Sequence, residues 1–394
     1  MLSILIEKSM NKQKNMWKVV YLLPLVLVLA LAGCSKQGQN VKNGQPETVV
    51  KLGIIVPLSG EAAVLGEELQ RVVDYYLPQI NARYAKQGLK FEAVYEDGKC
   101  SGNDAVSAYQ KLTDIDGTKF IIGGLCSSET LAMAPLSKNG SALILSPGSS
   151  NPAIEGASPY MFTFSYSDDM IGKKLATAMS TYKRVAIITE QNDYNVGIQK
   201  VWLAAMKNYP DAQVVANETF VKAGSDFRSV LEKVKQTNPD AILLNPNAGV
   251  TPRNLVKQLA EIKDWNNYKL FGQIAFIAPE VLSIAPEKTE GMIVVDSPSI
   301  NSPELLALKS QIETTKGTLA DIGTYFTAST IDDLNVVTSL IAELGNDPKA
   351  VREALVSREF KGYISDNINF KNSSFPGVGA AVYVVHNGAV ELQK

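Results

Sequence analysis

Phe120-Ile-Ile-Gly-Gly-Leu-Cys-Ser-Ser-Glu-Thr130 begins as a short apolar run and ends in residues that favour the start of a helix. The run is too short for a buried helix and has the length of a strand covered on both faces. Ser127 and Ser128 then offer N-cap hydroxyls, and Glu129 places a negative charge in a first helical turn. Free backbone N–H groups and the helix dipole at such a turn favour an anion. This stretch therefore predicts a ligand site with Ser127 on its floor.

The rest of the chain alternates between strand-like and helix-like segments. Val49–Leu58 is a β-branched apolar run, Ala63–Tyr84 carries apolar residues along one helical face, and Leu89–Tyr95 has strand character again. The same alternation returns between Asp168 and Asp296. This pattern predicts an α/β fold of two lobes, each a mainly parallel sheet flanked by helices. Ligands bind such sheets at the carboxyl ends of the strands, so the two crevices should face each other.

The last part of the chain, from Pro303 onward, is helical first and ends in two predicted strands, Ile364–Phe370 and Ala380–His386. On one of its helices, Asp332 and Asp333 are expected on a solvated face or at a cap. The segment lacks an α/β unit of its own, so we expect it to complete both lobes, with several crossovers between them. The predicted lobes are residues 49–166 plus 299–373 and residues 167–298 plus 374–394.

The N-terminal segment, residues 1–33, has the pattern of an export leader. A basic stretch precedes Val19–Leu31, an apolar run of about 13 residues that is short for a membrane span. Leu31-Ala-Gly-Cys34 resembles the bacterial lipobox, which implies cleavage before Cys34 and lipidation of its thiol. A plain signal peptide with a chance cysteine is the alternative. Residues 34–48 are polar and predict a flexible tether. The expected product is an exported lipoprotein, anchored at a membrane and facing the periplasm or the extracellular side.

Charge and composition exclude several classes of function. The full chain has a formal charge of −2, and about −5 remains once a leader that carries +3 is removed. A mildly acidic chain without a basic patch argues against nucleic-acid binding. Gly377-Val-Gly379 lacks the strand–turn–helix context of a dinucleotide site, and no metal-ligand cluster or pair of catalytic carboxylates stands out. We therefore expect no cofactor, no metal and no enzymatic activity.

The chain has 3 cysteines. With Cys34 assigned to the lipid, Cys100 and Cys126 remain, and an oxidising compartment favours their pairing. The alternative is Cys126 as a nucleophile, but the chain has 1 histidine, His386, for which a structural role in a late strand is expected. A surface hydrolase that uses Ser127 or Cys126 is thus a second hypothesis. It lacks a Ser-His-Asp set and a Gly-x-Ser-x-Gly elbow.

Three segments together carry a family resemblance: Glu96-Asp-Gly-Lys-Cys100, Gly123-Gly-Leu-Cys-Ser-Ser128 and Leu145-Ser-Pro-Gly-Ser-Ser-Asn-Pro152. Residues 49–394 resemble the leucine/isoleucine/valine-binding family of ABC-transporter solute receptors, which has the type I periplasmic-binding-protein fold. The resemblance implies a protein, not an enzyme, that captures a small polar solute, an amino acid or an amide-type compound, between two closing lobes. It also implies delivery to an ABC permease in the membrane. A ligand-sensing receptor domain of the same fold is the alternative.

The resemblance also implies site residues. Its disulfide is Cys100–Cys126. Hydroxyl and backbone groups after the second cysteine and in the Ser-Pro turn bind the carboxylate and ammonium of the ligand in that family. The corresponding positions here, with a neighbouring serine, are Ser127, Gly148, Ser149 and Ser150. Tyr194, in a polar loop after the first strand of the second lobe, is a further predicted ligand contact.

The second lobe departs from the family pattern. Gln273 stands where the family usually offers a carboxylate to the ligand ammonium, and Asn247 stands near an expected aromatic residue. Leu65 replaces an aromatic residue that often covers the ligand. A buried ammonium without a carboxylate partner is costly. We therefore expect Asn247 and Gln273, together with Asn245, to contact an amide or hydroxyl group of the solute.

Overall fold

The computed structural model describes residues 47–221, 226–262, 267–320 and 323–393. The predicted leader, Cys34 and the tether up to residue 46 lie outside the described residues. The described residues from Val49 onward belong to one compact unit. Among the described helices, none combines the length and the apolarity needed to cross a bilayer.

The first sheet is built around the strand of the Phe120–Thr130 stretch. It has 5 strands in the order β2-β1-β3-β4-β5, and β3 pairs in parallel with both β1 and β4. Leu52, Ile54 and Ile122 on the central strands are fully buried, as expected for a sheet covered on both faces. Its strands are Thr48–Val56 (β1), Leu89–Asp97 (β2), Phe120–Gly123 (β3), Leu143–Ser146 (β4) and Met161–Thr163 (β5).

The second sheet has 7 strands in the order β14-β13-β10-β9-β8-β6-β7. The strands β6 to β10 are parallel to their neighbours in that group, whereas β13 and β14 are antiparallel. Its strands are Arg184–Glu190 (β6), Gln213–Phe220 (β7), Ala241–Asn245 (β8), Lys269–Gly272 (β9), Ile293–Asp296 (β10), Ala381–His386 (β13) and Ala389–Leu392 (β14). A separate ribbon pairs Glu359–Phe360 (β11) with Ile368–Asn369 (β12).

Helices flank both sheets. The helices are Ala63–Tyr84 (α1), Gly102–Gln110 (α2), Ser127–Ser137 (α3), Asp168–Met179 (α4), Asp193–Met206 (α5), Arg228–Lys235 (α6), Val250–Glu261 (α7), Pro279–Leu282 (α8), Pro286–Thr289 (α9), Pro303–Lys316 (α10), Gly323–Leu344 (α11) and Pro348–Ser357 (α12). The late helices α10 and α11 pack on α1, and α12 packs on β4. The late helical segment therefore returns to the first sheet.

The chain passes between the two sheets after β5, after β10 and before β13. The two-lobed α/β architecture with several crossovers is thereby confirmed. Lobe boundaries at residues 166, 298 and 373 stay a prediction.

The C-terminal strands differ from the prediction. Of the expected strand Ile364–Phe370, β12 alone is a strand, and it belongs to the small ribbon. A final strand, β14, was not predicted. Asn387 and Gly388 adopt left-handed backbone conformations, with φ of 50° and 74°, and form the tight turn between β13 and β14. An Asn-Gly pair between strands is a sequence signal for such a hairpin.

The expectation that Asp332 and Asp333 lie on a solvated face is wrong, because both are buried. The carboxylate of Asp332 accepts hydrogen bonds from the backbone N–H groups of Tyr363 (2.9 Å) and Ile364 (2.8 Å). Gly362 permits this approach, since a Cβ there would lie 2.4 Å from that carboxylate. Burial raises the pKa of Asp332 to about 6, against the effect of the two N–H groups. Asp332 therefore anchors a distant loop onto α11.

The neighbouring Asp333 is fully buried, and neither of its carboxylate oxygens has a hydrogen-bond partner among the described residues. Burial, and secondarily Asp332, raise the pKa of Asp333 well above its usual range. The folded protein therefore holds this proton at pH values where the unfolded chain has lost it. Once the pH exceeds the pKa of this carboxyl in the unfolded chain, the contribution of Asp333 to the unfolding free energy falls by about 1.4 kcal/mol per pH unit. The fall ends when the pH passes the pKa of the carboxyl in the folded protein.

We expect Asp333→Asn to reduce the loss of unfolding free energy between pH 5 and pH 8 by at least about 1 kcal/mol, because asparagine cannot ionise. The measurement is urea unfolding at both pH values. Replacement of the exposed Asp211 by asparagine is the control and should leave the pH dependence unchanged. An unchanged pH dependence in Asp333→Asn would show that this carboxyl ionises normally in the folded state.

Candidate functional site

A cavity of about 730 Å³, its mouth included, is lined by residues that follow strands of both sheets. The first sheet contributes residues after β3 and β4, and the second contributes residues after β6, β8 and β9. The predicted ligand contacts in its lining are Ser127, Gly148, Ser150, Tyr194 and Asn247. Parallel sheets bind ligands at this edge. The structure thus brings five of the seven predicted ligand contacts to one cavity, where their contact with a solute stays a prediction.

Helix α3 begins at the cavity, although its N-cap residue is Cys126 and not the predicted serines. Ser127 is the first helical residue, and its hydroxyl oxygen accepts the N–H of Asn151 at 3.3 Å. Ser128 turns its hydroxyl away, to the carbonyl of Cys100 at 2.9 Å. In the described part of the chain, the N–H groups of Ser127 and Ser128 have no acceptor. This end of the cavity therefore offers the Ser127 O–H and two N–H groups, all donors suited to a carboxylate.

Glu129 stabilises this turn from inside the protein. Its carboxylate is buried and accepts the N–H groups of Cys126 (2.8 Å) and Cys100 (3.0 Å). Two glycines make room for it, because a Cβ on Gly98 or on Gly124 would lie 2.1 or 2.2 Å from Glu129 atoms. The negative charge predicted for the first helical turn thus binds the loop and does not line the cavity.

Cys100 and Cys126 are joined by a disulfide, with their Cα atoms 5.2 Å apart. Both cysteines also line the cavity. The sulfur of Cys126 is therefore committed to a bond, and the hypothesis of a cysteine nucleophile finds no free thiol at this position.

The Ser-Pro turn after β4 is organised by Ser146. Its hydroxyl donates to the carbonyl of Gly124 at 2.7 Å and accepts the N–H groups of Gly148 (3.2 Å) and Ser149 (2.9 Å). The hydroxyl of Ser149 points into the protein, where it bonds Thr130 at 2.7 Å. Ser149 does not line the cavity, in contrast to its prediction as a ligand contact. Its role in the structure is to tie the turn to α3.

Ser150, in contrast, lines the cavity, and its hydroxyl has a defined partner. It donates to a carboxylate oxygen of Asp168 at 3.0 Å, and the N–H of Asp168 returns a bond to the Ser150 carbonyl at 2.8 Å. Asp168 is the first residue of α4, the helix that follows the first crossover. These two bonds connect the turn after β4 to α4, the first helix of the part of the chain that forms the second sheet.

On the side of the second sheet, Tyr194 lies in the first turn of α5 and not in the loop that the sequence predicted. Its hydroxyl donates to the side-chain oxygen of Gln273 at 3.2 Å. Gln273 itself is fully buried and does not line the cavity, because its amide is engaged elsewhere. Its nitrogen donates to the carbonyl of Pro246 at 2.5 Å, and its oxygen accepts the N–H of Ala275 at 2.9 Å. Gln273 is thus placed to position Tyr194, in contrast to the predicted direct contact.

Of the two asparagines expected on this side, one reaches the cavity. Asn247 lines the wall, and its backbone N–H is fixed by Glu190 at 2.8 Å. Asn245 is fully buried and exchanges hydrogen bonds with Asn195 at 2.9 and 3.0 Å. It is part of the buried hydrogen-bond network at the carboxyl end of β8.

Sequence reasoning missed two aromatic residues of the wall, Tyr166 and Phe326. Tyr166 follows β5 by three residues, and the rule that ligands lie at carboxyl ends of strands points to such a position. Its hydroxyl donates to Asp296 at 2.8 Å. Phe326 lies in the first turn of α11, which no local signal connects with the cavity.

The cavity wall carries no formal charge among the described lining residues, and two carboxyl groups, of Asp168 and Asp296, lie behind it. Burial raises the pKa of Asp296 to about 7, against the N–H of Ser297 and the hydroxyl of Tyr166. Burial also raises the pKa of Asp168 well above its usual range, and Asp296 adds to this shift. The uncharged wall is therefore backed by two buried carboxyl groups.

Comparison with known proteins connects this geometry to a family. A family model described as periplasmic binding protein matches residues 49–389. The chain is 26% identical to an amino acid binding protein of Pseudomonas aeruginosa, over 59% of this chain and 63% of that relative, a little under two thirds of its length. It is 23% identical to the Leu/Ile/Val-binding protein homolog 2 of Brucella abortus, over 84% of this chain and 89% of the relative.

Solved structures share the fold. The branched-chain amino acid binding protein LivJ of Streptococcus pneumoniae, in complex with isoleucine, superposes with a TM-score of 0.73 at 21% identity, covering 88% of this chain and 100% of that one. A solute binding protein of an R. palustris ABC transporter, in complex with 4-hydroxybenzoate, gives 0.74 at 18% identity, with coverages of 88% and 96%. The match over residues 49–389 shows that the chain belongs to the periplasmic binding protein family, with the Leu/Ile/Val-binding proteins among its relatives, a family of solute-binding proteins and not of enzymes.

Proposed function

We propose that this protein is the extracytoplasmic solute-binding lipoprotein of an ABC importer. In this proposal it captures a small solute that bears a carboxylate, an amino acid or an amide-type compound, between two closing lobes and delivers it to a permease. One observation carries the proposal: the Ser127 hydroxyl and the free N–H groups of Ser127 and Ser128 converge at one end of an otherwise uncharged cavity. Such donors bind a carboxylate through charge-assisted hydrogen bonds without a buried cation.

The remainder of the wall supports a solute with an apolar body. Leu65, Leu125, Ile274 and Phe326 also line the cavity. The ligands of the two structural relatives, isoleucine and 4-hydroxybenzoate, each combine a carboxylate with an apolar group. Because residues from both sheets line the cavity, a bound solute contacts both, and this supplies the differential affinity that closure requires.

The test is a thermal-shift panel on protein that has been unfolded and refolded to remove solute carried through purification. The panel contains apolar and polar α-amino acids, their amides, and aromatic and aliphatic carboxylates. A true solute at 100 times its dissociation constant should add about 2.7 kcal/mol to the unfolding free energy, a shift of several degrees. If no member of the panel raises the melting temperature, the proposal of a carboxylate solute is overturned.

Membrane attachment and transport need separate tests. Radiolabelled palmitate should label the exported chain and should not label a Cys34→Ala variant. If the protein serves transport, deletion of a permease gene beside its own gene should abolish uptake of the solute that it binds. If it is a sensing receptor of the same fold, deletion of the protein itself would leave uptake unchanged.

A further inference from the structure

Asn151 connects the two sides of the cavity by a direct hydrogen bond. It follows β4 of the first sheet, and its side-chain nitrogen donates to the carbonyl of Asp193 at 2.5 Å. Asp193 is the first residue of α5, which follows β6 of the second sheet. Neither of these two described residues lines the cavity. The bond therefore joins the segments of the two sheets through protein atoms alone.

The amide of Asn151 is held in a fixed direction on the side of the first sheet. Its oxygen accepts the N–H of Ala153 at 2.8 Å, and the backbone N–H of Asn151 donates to the hydroxyl of Ser127 at 3.3 Å. Pro152 follows directly and restricts Asn151 to an extended backbone. Under these constraints the side-chain nitrogen is directed at α5.

Helix α5 has room for this amide at Gly197. A Cβ at position 197 would lie 2.8 Å from the side-chain nitrogen of Asn151, which is too close for a real Cβ contact. The carbonyl of Asp193 has two lone pairs and can accept the amide in addition to a helical N–H. A glycine inside a helix is destabilising relative to alanine. The contact with Asn151 gives this glycine a reason, because a residue without a side chain leaves space for the amide.

The two sides also meet at Gly249, the residue before α7. A Cβ there would lie 2.9 Å from the carbonyl oxygen of Glu61, in the loop between β1 and α1. The segments of the two sheets thus touch at two places beside the cavity. The contact at Gly249 is backbone packing, whereas the contact at Asn151 is a directional bond that depends on one side chain.

Both contacts exist while the two sides are together and are lost when the sides separate. A bond that is made in one of two conformations shifts the equilibrium toward that conformation. The apparent affinity for a solute is proportional to the fraction of the protein in the binding-competent form. An interaction that stabilises this form therefore strengthens solute binding without contacting the solute.

Resting on the proposed capture of a solute between two closing lobes, we propose that the side chain of Asn151 is a latch that stabilises the closed form. It keeps a measurable fraction of the solute-free protein closed, and it raises the affinity for every solute that the cavity accepts by the same factor. Asn151 is a positioning residue in this role, since it acts through closure. Gly197 is the matching part of the latch on α5.

The solute-free protein tests the latch by itself. Small-angle X-ray scattering is measured on refolded wild-type protein and on Asn151→Ser, whose shorter side chain keeps an N-cap acceptor for Ala153 but cannot reach Asp193. We expect a larger radius of gyration for Asn151→Ser, and equal radii once a saturating solute closes both proteins. Equal radii in the solute-free samples would overturn the latch and leave the proposed solute binding intact.

Affinities give the second readout. Calorimetry compares L-leucine, L-phenylalanine and 4-hydroxybenzoate, and each of them that binds wild-type protein should bind Asn151→Ser about 3- to 10-fold more weakly, as for the loss of one neutral hydrogen bond. The factor should be the same for each compound, because the latch contacts none of them. A loss confined to one compound would indicate a direct ligand contact and contradict the latch. Absence of binding by the whole panel would overturn the proposed function, while the scattering result would still decide on the latch.

A double-mutant cycle separates the latch from a general disturbance of the turn. Gly197→Ala places a methyl group against the amide and should weaken binding about as much as Asn151→Ser, although alanine favours the helix. In the Asn151→Ser background the same change should alter affinity by less than about 2-fold, since the amide is gone. Asn208→Ser, at an exposed asparagine after α5, is the control and should bind like wild type. Additive losses in the double variant would contradict a shared contact.

Discussion

Replacing Ser127 and Ser150 together by alanine is expected to weaken solute binding at least about 100-fold, since hydrogen bonds to charged groups contribute about 1.5–3 kcal/mol each. The first substitution removes the hydroxyl donor beside the free N–H groups of α3. The second removes the hydroxyl that bonds Asp168 behind the wall. Calorimetry with the best solute of the panel measures the effect.

Ser128→Ala is the matched control. Ser128 lines the same cavity, but its hydroxyl is committed to the carbonyl of Cys100, and its backbone N–H survives the substitution. Its affinity should stay within about 3-fold of wild type, since one hydroxyl bond outside the cavity contributes little to binding. If the double variant binds as well as the control, the donor-lined end is not the carboxylate site.

Replacing Glu129 by leucine is expected to lower the unfolding free energy by about 4 kcal/mol, because one buried and one partly buried N–H donor lose their acceptor at about 1–3 kcal/mol each. These donors belong to Cys100 and Cys126, so the turn that carries Ser127 loses its support. Solute binding should weaken as well, although Glu129 does not line the cavity. Urea unfolding and calorimetry measure the two effects.

Two further variants define the role of Glu129. Glu129→Gln keeps one acceptor oxygen and should lose less stability than Glu129→Leu. Replacing Glu353, an exposed residue of α12, by leucine should change the unfolding free energy by less than about 0.5 kcal/mol. A Glu129→Leu variant as stable as the wild-type protein would mean that the disulfide and the serine hydrogen bonds hold the turn after β3 without Glu129.

The features that sequence predicted well are those with local signals. The strand–turn–helix of Phe120–Thr130 is visible because an apolar run, two glycines and polar first-turn residues are adjacent in the chain. Helix α1 was predicted with the bounds Ala63–Tyr84 that the structure shows, since its apolar residues keep a helical period over its length. Alternation of such segments was enough to predict the two-lobed α/β fold.

The direction of individual polar side chains could not be predicted. Ser149 and Ser150 are neighbours with the same chemistry, yet one bonds Thr130 inside the protein and the other reaches the wall. The different directions of these two side chains depend on the hydrogen bonds by which Ser146 shapes the turn. Burial of Asp332 likewise depends on a loop at Gly362, about 30 residues later in the chain. Contacts at this separation leave no local pattern.

A crystal structure of the protein with its best-binding solute tests the proposed site most directly. We expect one carboxylate in the cavity, with an oxygen within about 3 Å of the Ser127 hydroxyl and of the N–H groups of Ser127 and Ser128. A solute bound elsewhere, or one whose carboxylate lies against Asn247 and Ile274 on the side of the second sheet, would contradict this account.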